Sequence, residues 1–76
     1  MDKIGIGVIG CGGMGRTHAR SLAKRNDVHF RMLVDMRVEA AQALQKEVNA
    51  EFIATDFEDA LKDPSVGVVL ICTGIL

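Results

Sequence analysis

The sequence has no excess of charge of either sign: nine basic residues stand against ten acidic ones, for a formal net charge of -1 over 76 residues. No nucleic acid and no membrane surface is therefore an expected partner, since neither has an electrostatic handle. Cysteine is scarce. Two are too few for a disulfide framework, which points to a reducing, cytoplasmic setting. Long hydrophobic runs are missing as well. The longest apolar stretch, Val66 to Leu76, contains Gly67, Thr73 and Gly74 and falls short of the ~20 residues that span a bilayer. No secretory leader is recognisable, because glycines break the apolar run after Lys3 and no small-residue cleavage site follows. What is present, 49% apolar and 25% charged residues, is a globular composition and excludes a disordered tail. At ~100–200 residues per domain the chain makes one small domain at most, burying only roughly 60% of the surface its unfolded form exposes.

The periodicity changes repeatedly along the chain. Lys3 to Ile9 is apolar on both faces, which suits a strand covered on both sides, as in a parallel sheet. From Met14 to Arg25, Ala19, Leu22 and Ala23 mark one helical face, and Arg16, Arg20 and Lys24 recur at spacings of four on another. Asn26-Asp27 stops that helix. Val28 to Val34 is a second strand closed by Asp35. Val38, Ala41, Leu44 and Val48 then recur at helical spacing, with Asn49 as a stop. Phe52-Ile53-Ala54 is a third strand. Thr55-Asp56-Phe57-Glu58 fits a capping box in which Thr55 and Glu58 satisfy free amides at a helix start. That short helix ends near Lys62, Asp63-Pro64-Ser65 turns, and the run from Gly67 to Thr73 is a fourth strand. The order β-α-β-α-β-α-β, with strands at about 3–9, 28–34, 52–54 and 67–73, predicts an α/β fold: a Rossmann-type parallel sheet with right-handed crossovers. Such domains continue to a fifth and sixth strand, so residues 1–76 read as the N-terminal part of a dinucleotide-binding domain.

Between the first strand and the first helix lies Gly10-Cys11-Gly12-Gly13-Met14-Gly15, a G-x-G-x-x-G pattern. Gly10 permits the tight turn, Gly12 lets the backbone approach a pyrophosphate, and Gly15 lets the helix pack close to the strand. The helix then offers its free N–H groups and positive dipole end to phosphate. Alone the pattern is weak; placed after a strand and before a helix, with an acid about 20 residues on, it gains meaning. Asp35 is that acid, at the end of the second strand. A carboxylate there accepts bonds from the adenosine ribose hydroxyls and repels a 2′-phosphate, favouring NAD over NADP. FAD sites usually carry Glu at this place. S-adenosylmethionine sites commonly have an acid before the glycines, where Val8-Ile9 stand, and the Gly-Lys-Ser/Thr of ATPase P-loops is absent.

Taken together, Ile6 to His18, Val34-Asp35, Thr55 to Leu61, Asp63-Pro64 and Val68 to Thr73 resemble the glucose–fructose oxidoreductase / inositol dehydrogenase (Gfo/Idh/MocA) family over essentially the whole chain. The more discriminating features are the His three places after the last glycine, the Asp-Phe with a downstream Asp-Pro, and the apolar strand ending in Thr. The resemblance implies an oxidoreductase in two domains, a Rossmann domain for NAD(P) and a substrate domain absent from this chain. It implies hydride transfer between nicotinamide and a sugar, cyclitol or related hydroxyl compound. By position, Cys11, Gly13 and Met14 join Gly10, Gly12 and Gly15 at the pyrophosphate through their backbones, and Arg37 lies against the adenine or its ribose. Thr73 borders the nicotinamide half. The family's catalytic Lys, in a Glu-Lys-Pro strand, has no counterpart here, nor has the His of its second domain. No catalytic residue and no metal ligand is therefore assigned. A non-catalytic NAD(H)-sensing module and a non-functional fragment are the alternatives; an S-adenosylmethionine-binding domain is a remote one.

The remaining polar residues have plain expectations. His18 is read as a neutral imidazole satisfying a backbone group on the Leu22 side of its helix. Asp56, Glu58 and Asp59 read as helix-start capping, and Arg16, Arg20 and Lys24 as a solvated face. Cys11 and Cys72 end neighbouring strands and read as small buried hydrophobes, with an oxidation-sensitive pair as the sharper reading. Lacking a fifth strand, Val68 to Ile71 form an apolar edge, from which self-association is expected.

Overall fold

A computed structural model describes residues 3–72. Strands and helices alternate as the periodicity predicts: β1 (Ile4–Ile9), α1 (Gly13–Leu22), β2 (Val28–Val34), α2 (Val38–Val48), β3 (Phe52–Ala54), α3 (Phe57–Lys62) and β4 (Val68–Ile71). The four strands form one parallel sheet in the order β3-β2-β1-β4. The chain thus winds outward from β1 to β3 and then returns to the other side of β1, the doubly wound arrangement of the expected Rossmann-type fold.

The two faces of the sheet bury different sets of residues. Ile6, Val8, Phe30 and Leu33 pack with Ala19 of α1 and Ala41 and Leu44 of α2. On the opposite face, Ile9, Met32 and Val34 pack against Ala60 of α3. Three layers result, and β1 and β2, covered on both sides, are the near-continuously apolar strands. The β1–β2 ladder is interrupted once. Ile6 pairs with Phe30 and Gly7 with Met32, which leaves Arg31 as an extra residue in β2.

Three local details depart from the expectations. α1 ends at Leu22 rather than Arg25, because the N–H groups of Lys24 and Arg25 bond back to Ser21 and Leu22 in a tighter terminal turn. The predicted Thr55–Glu58 capping box does not form. Asp56 is the N-cap instead, its carboxylate accepting from the Glu58 N–H at 2.9 Å, and its charge also favours the positive helix end. The Arg16 and Arg20 face is not simply solvated: both guanidinium groups reach Glu47 of α2, at 3.7 and 2.7 Å, and tie the two helices together. Asn49 does stop α2, in the left-handed conformation (φ 59°, ψ 42°) that asparagine tolerates.

Arg31, the extra residue, spans the lower rim of the sheet. It bonds Asp63 and Glu51, each at 2.8 Å, and lies 4.5 Å from the centre of the Phe52 ring. The guanidinium beside Asp63, and then the Ser65 N–H, hold that carboxyl below its ordinary range. A carboxyl with a lowered folded pKa adds stability that is complete above the unfolded value of about 4 and lost as pH falls through the folded value. Acid unfolding of Asp63→Asn is accordingly expected to lose part of the wild-type slope below about pH 4, as followed by circular dichroism against pH.

Candidate functional site

At the carboxyl ends of the strands, where the chain order reverses between β1 and β4, lies an open cleft of about 1530 Å³. That exceeds the ~300–1,000 Å³ of typical small-molecule pockets, in keeping with its being open to solvent. Its floor is the turn from β1 into α1. Gly10 has φ 96°, a conformation that a side chain would strain, and its N–H bonds the Val34 carbonyl at 2.7 Å. A Cβ on Gly15 would overlap the Gly10 carbonyl oxygen, so the helix approaches the turn as closely as glycine allows. Gly12 is the N-cap of α1 and offers no side chain, and no acidic residue lies in the first turn. The positive end of α1 is thus left without an anion of its own, facing the cleft.

Asp35 stands where β2 ends and is half-buried. One carboxylate oxygen accepts from the Cys11 N–H at 2.8 Å and the other from the Arg37 N–H at 2.9 Å. The side chain therefore ties the loop after β1 to the loop after β2 and is fixed in orientation by both. A carboxylate has about four lone-pair sites, so two remain for ligand hydroxyls. Arg37 is exposed on the cleft wall. Its Nη2 lies 3.9 Å from where a Cβ on Gly12 would stand, and it enters no ion pair among the described residues. Nothing lies within 4 Å of a Cβ placed on Gly13, so the space above the loop is open.

The structure brings Gly10, Gly12, Gly13, Met14, Asp35 and Arg37 onto one cleft. Cys11 is buried beneath it, its Sγ 3.5 Å from the Val34 carbonyl oxygen, so only its backbone faces the loop. Burial, and after it the charge of Asp35, push the Cys11 thiol up to about 11. Burial raises Cys72 too, and both thiols are free. Thr73 lies outside the described residues. His18 differs from expectation: it is exposed, lines the cleft and makes no hydrogen bond to a backbone group among the described residues. Its place in the first turns of α1 aims it at the cleft mouth rather than at the core.

Met36 and Phe57, 90% and 52% exposed, also line the cleft and were not anticipated. The signal was present. Each large apolar residue directly follows an acidic residue in the connection after a strand, Met36 after Asp35 and Phe57 after the N-cap Asp56.

This geometry has close counterparts. The profile of a Gfo/Idh/MocA oxidoreductase family with an NAD-binding Rossmann fold matches residues 4–74. The chain is 31% identical over 68 residues to a myo-inositol 2-dehydrogenase of Thermotoga maritima, covering 90% of this chain and 20% of that protein. A crystal structure of GenD2 from gentamicin A biosynthesis in complex with NAD superposes with a TM-score of 0.88 at 30% identity, over 96% of this chain and 21% of that one. Myo-inositol dehydrogenase from Lactobacillus casei, in complex with NAD(H) and myo-inositol, superposes at 0.85 with 27% identity, over 93% and 22%. The chain spans about a fifth of the length of these relatives.

Proposed function

Because the chain belongs to this oxidoreductase family with an NAD-binding Rossmann fold, we propose that its cleft is the dinucleotide half of an enzyme that moves hydride between NAD and a sugar-like or cyclitol hydroxyl. When bound, the nicotinamide supplies the hydride acceptor or donor. The chain's own residues bind and orient the cofactor. The backbone of Gly10, Cys11, Gly12, Gly13, Met14 and Gly15, with the uncapped end of α1, holds the pyrophosphate. Asp35 accepts the ribose hydroxyls, Arg37 borders the adenosine, and Thr73 is assigned by position to the nicotinamide half. Met36 and Phe57 offer apolar surface for the adenine. The family relation and the relatives solved with NAD and myo-inositol support this reading.

The observation that carries it is the Asp35 carboxylate, held by two backbone amides with lone pairs to spare, beside a helix end that has no anion of its own. Calorimetric titration of the chain with NAD and with NADP tests it. Saturable NAD binding with weaker NADP binding is expected; a folded chain that takes neither would overturn the reading.

Two companion inferences concern the setting. No helix among the described residues is long and apolar enough to cross a membrane, and a chain with only two cysteines, both unpaired, fits a reducing cytoplasm. Among the described residues β4 is an outer strand of the sheet, with Val68 and Ile71 49% and 68% exposed, a surface suited to self-association. Sedimentation at rising concentration reads that out as growth in mass; a monodisperse monomer would count against it.

A further inference from the structure

We infer that Met36 is an oxidation site, whose conversion to the sulfoxide by a hydroperoxide weakens NAD binding in the cleft until a sulfoxide reductase restores it. This rests on the cleft being a dinucleotide site, and goes beyond it by giving that cleft a redox response.

Three observations carry it. The first is where thioethers meet water. Of the three methionines among the described residues, Met32 is 9% exposed, whereas Met14 and Met36 are 68% and 90% exposed and both line the cleft. Accessible thioether sulfur is thus confined to the cleft among those residues. The second is the fixed backbone around Met36. The Asp35 carboxylate accepts from the Arg37 N–H at 2.9 Å and from the Cys11 N–H at 2.8 Å, which closes the chain around Met36 and ties it to the glycine loop. An altered side chain here is not easily relieved by withdrawal of its loop. The third is a shortage of competing thiolate. Cys11 is fully buried, and burial, with the charge of Asp35 after it, pushes its thiol up to about 11; burial raises Cys72 as well. Thiolate is the form that peroxides oxidise, so both cysteines are poor sinks near neutrality. A thioether carries no proton and keeps its lone pairs at any pH.

The step is an oxygen-atom transfer. A lone pair of the Met36 sulfur attacks one oxygen of the peroxide, and the O–O bond breaks as the S–O bond forms. The proton on the transferred oxygen leaves with the departing hydroxide, as water when the oxidant is hydrogen peroxide. Sulfur loses two electrons and the peroxide gains them. The product is a polar, chiral group in place of a flexible apolar one. The thioether offers a soft, polarizable surface to an adenine ring, whereas the sulfoxide oxygen must give up water to lie against one.

The test uses the full chain, hydrogen peroxide at mildly acidic pH as the oxidant, and NAD as the probe. Peptide mass mapping reads where oxygen enters, and calorimetry reads NAD affinity before and after. Oxygen is expected at Met36 ahead of Met14, with Met32 spared while the chain is folded, and saturating NAD should slow its entry at Met36. The oxidised chain should bind NAD about tenfold more weakly. The two methionine sulfoxide reductases, one for each epimer, with dithiothreitol as reductant, should restore the affinity; dithiothreitol alone should not. Met36→Leu, compared only with itself, should keep its own NAD affinity through the same treatment. Recovery with dithiothreitol alone would overturn the inference, by assigning the loss to a thiol. A loss that persists in Met36→Leu would overturn it too, as would a chain oxidised at Met36 that binds NAD as before. Absence of NAD binding by the folded, untreated chain is a different outcome and refutes the dinucleotide site itself, while mapping of Met36 against Met32 still decides whether the exposed thioether is the oxidation site.

Discussion

Gly15→Ala is expected to leave much of the chain unfolded at room temperature. The new Cβ would overlap the Gly10 carbonyl oxygen, lie 2.9 Å from its carbon and approach the Cys72 Cβ at 3.5 Å. Two of these atoms are backbone, in a turn pinned by the Gly10 N–H bond to Val34, so α1 itself must move outward. Overpacking of this kind costs about 1–3 kcal/mol, and more where the obstacle is rigid. At roughly 0.05–0.15 kcal/mol per residue a domain of this size has little stability to lose, and the smallest domains lie toward the low end. Gly13→Ala is the internal control. It adds the same methyl group to the same helix with nothing within 4 Å, and replaces a poor helix former with the best. Urea unfolding followed by far-ultraviolet circular dichroism should show a large drop in midpoint for Gly15→Ala and no loss for Gly13→Ala. Equal midpoints for the two would show that the helix does not depend on its close approach to the turn.

The second large effect is expected at Asp35. Asp35→Ala removes the acceptor of the partly buried Cys11 N–H together with that of the Arg37 N–H. Leaving a covered donor unpaired costs about 1–3 kcal/mol, so the variant loses stability even without ligand. NAD affinity should fall at least tenfold, because the ribose acceptor and the order of the loop go together. A third readout separates the electrostatic part. The charge of Asp35 is the second cause, after burial, of the raised Cys11 pKa, so its removal should bring the thiol down from about 11. Thiolate absorbance against pH measures this in the folded range. An unmoved Cys11 titration would mean that the carboxylate and the thiol do not sense one another.

Much of this site was legible because its requirements are local. Glycine at Gly10 and Gly15 answers to a positive φ and a close approach, and Asp35 follows a strand whose end is marked by the loss of apolar residues. Element order was equally readable, since β1 and β2 are apolar on both faces while α2 keeps a helical period. What stayed hidden depends on partners distant in sequence. The spacing of Arg16 and Arg20 looks the same whether they meet water or Glu47. Thr55 and Asp56 are both competent caps, and only the path of the chain out of β3 selects Asp56. His18 belongs to the cleft wall because of where α1 points, which its immediate neighbours do not encode.

The extra residue in β2 has a consequence for how the strand tolerates change in length. Phe30 pairs with Ile6 and Met32 with Gly7, and each pair already faces its proper layer. Arg31 is thus a residue the ladder does not count. Counting by odd and even along β2 fails at this point, yet neither half of the strand is out of phase with its partner. Deleting Arg31 would close the ladder into regular pairs without turning Leu33 or Val34 over, and would remove only the clamp to Asp63, Glu51 and Phe52. The lower rim is therefore where this sheet can gain or lose a residue while the end that carries Asp35 keeps its aim.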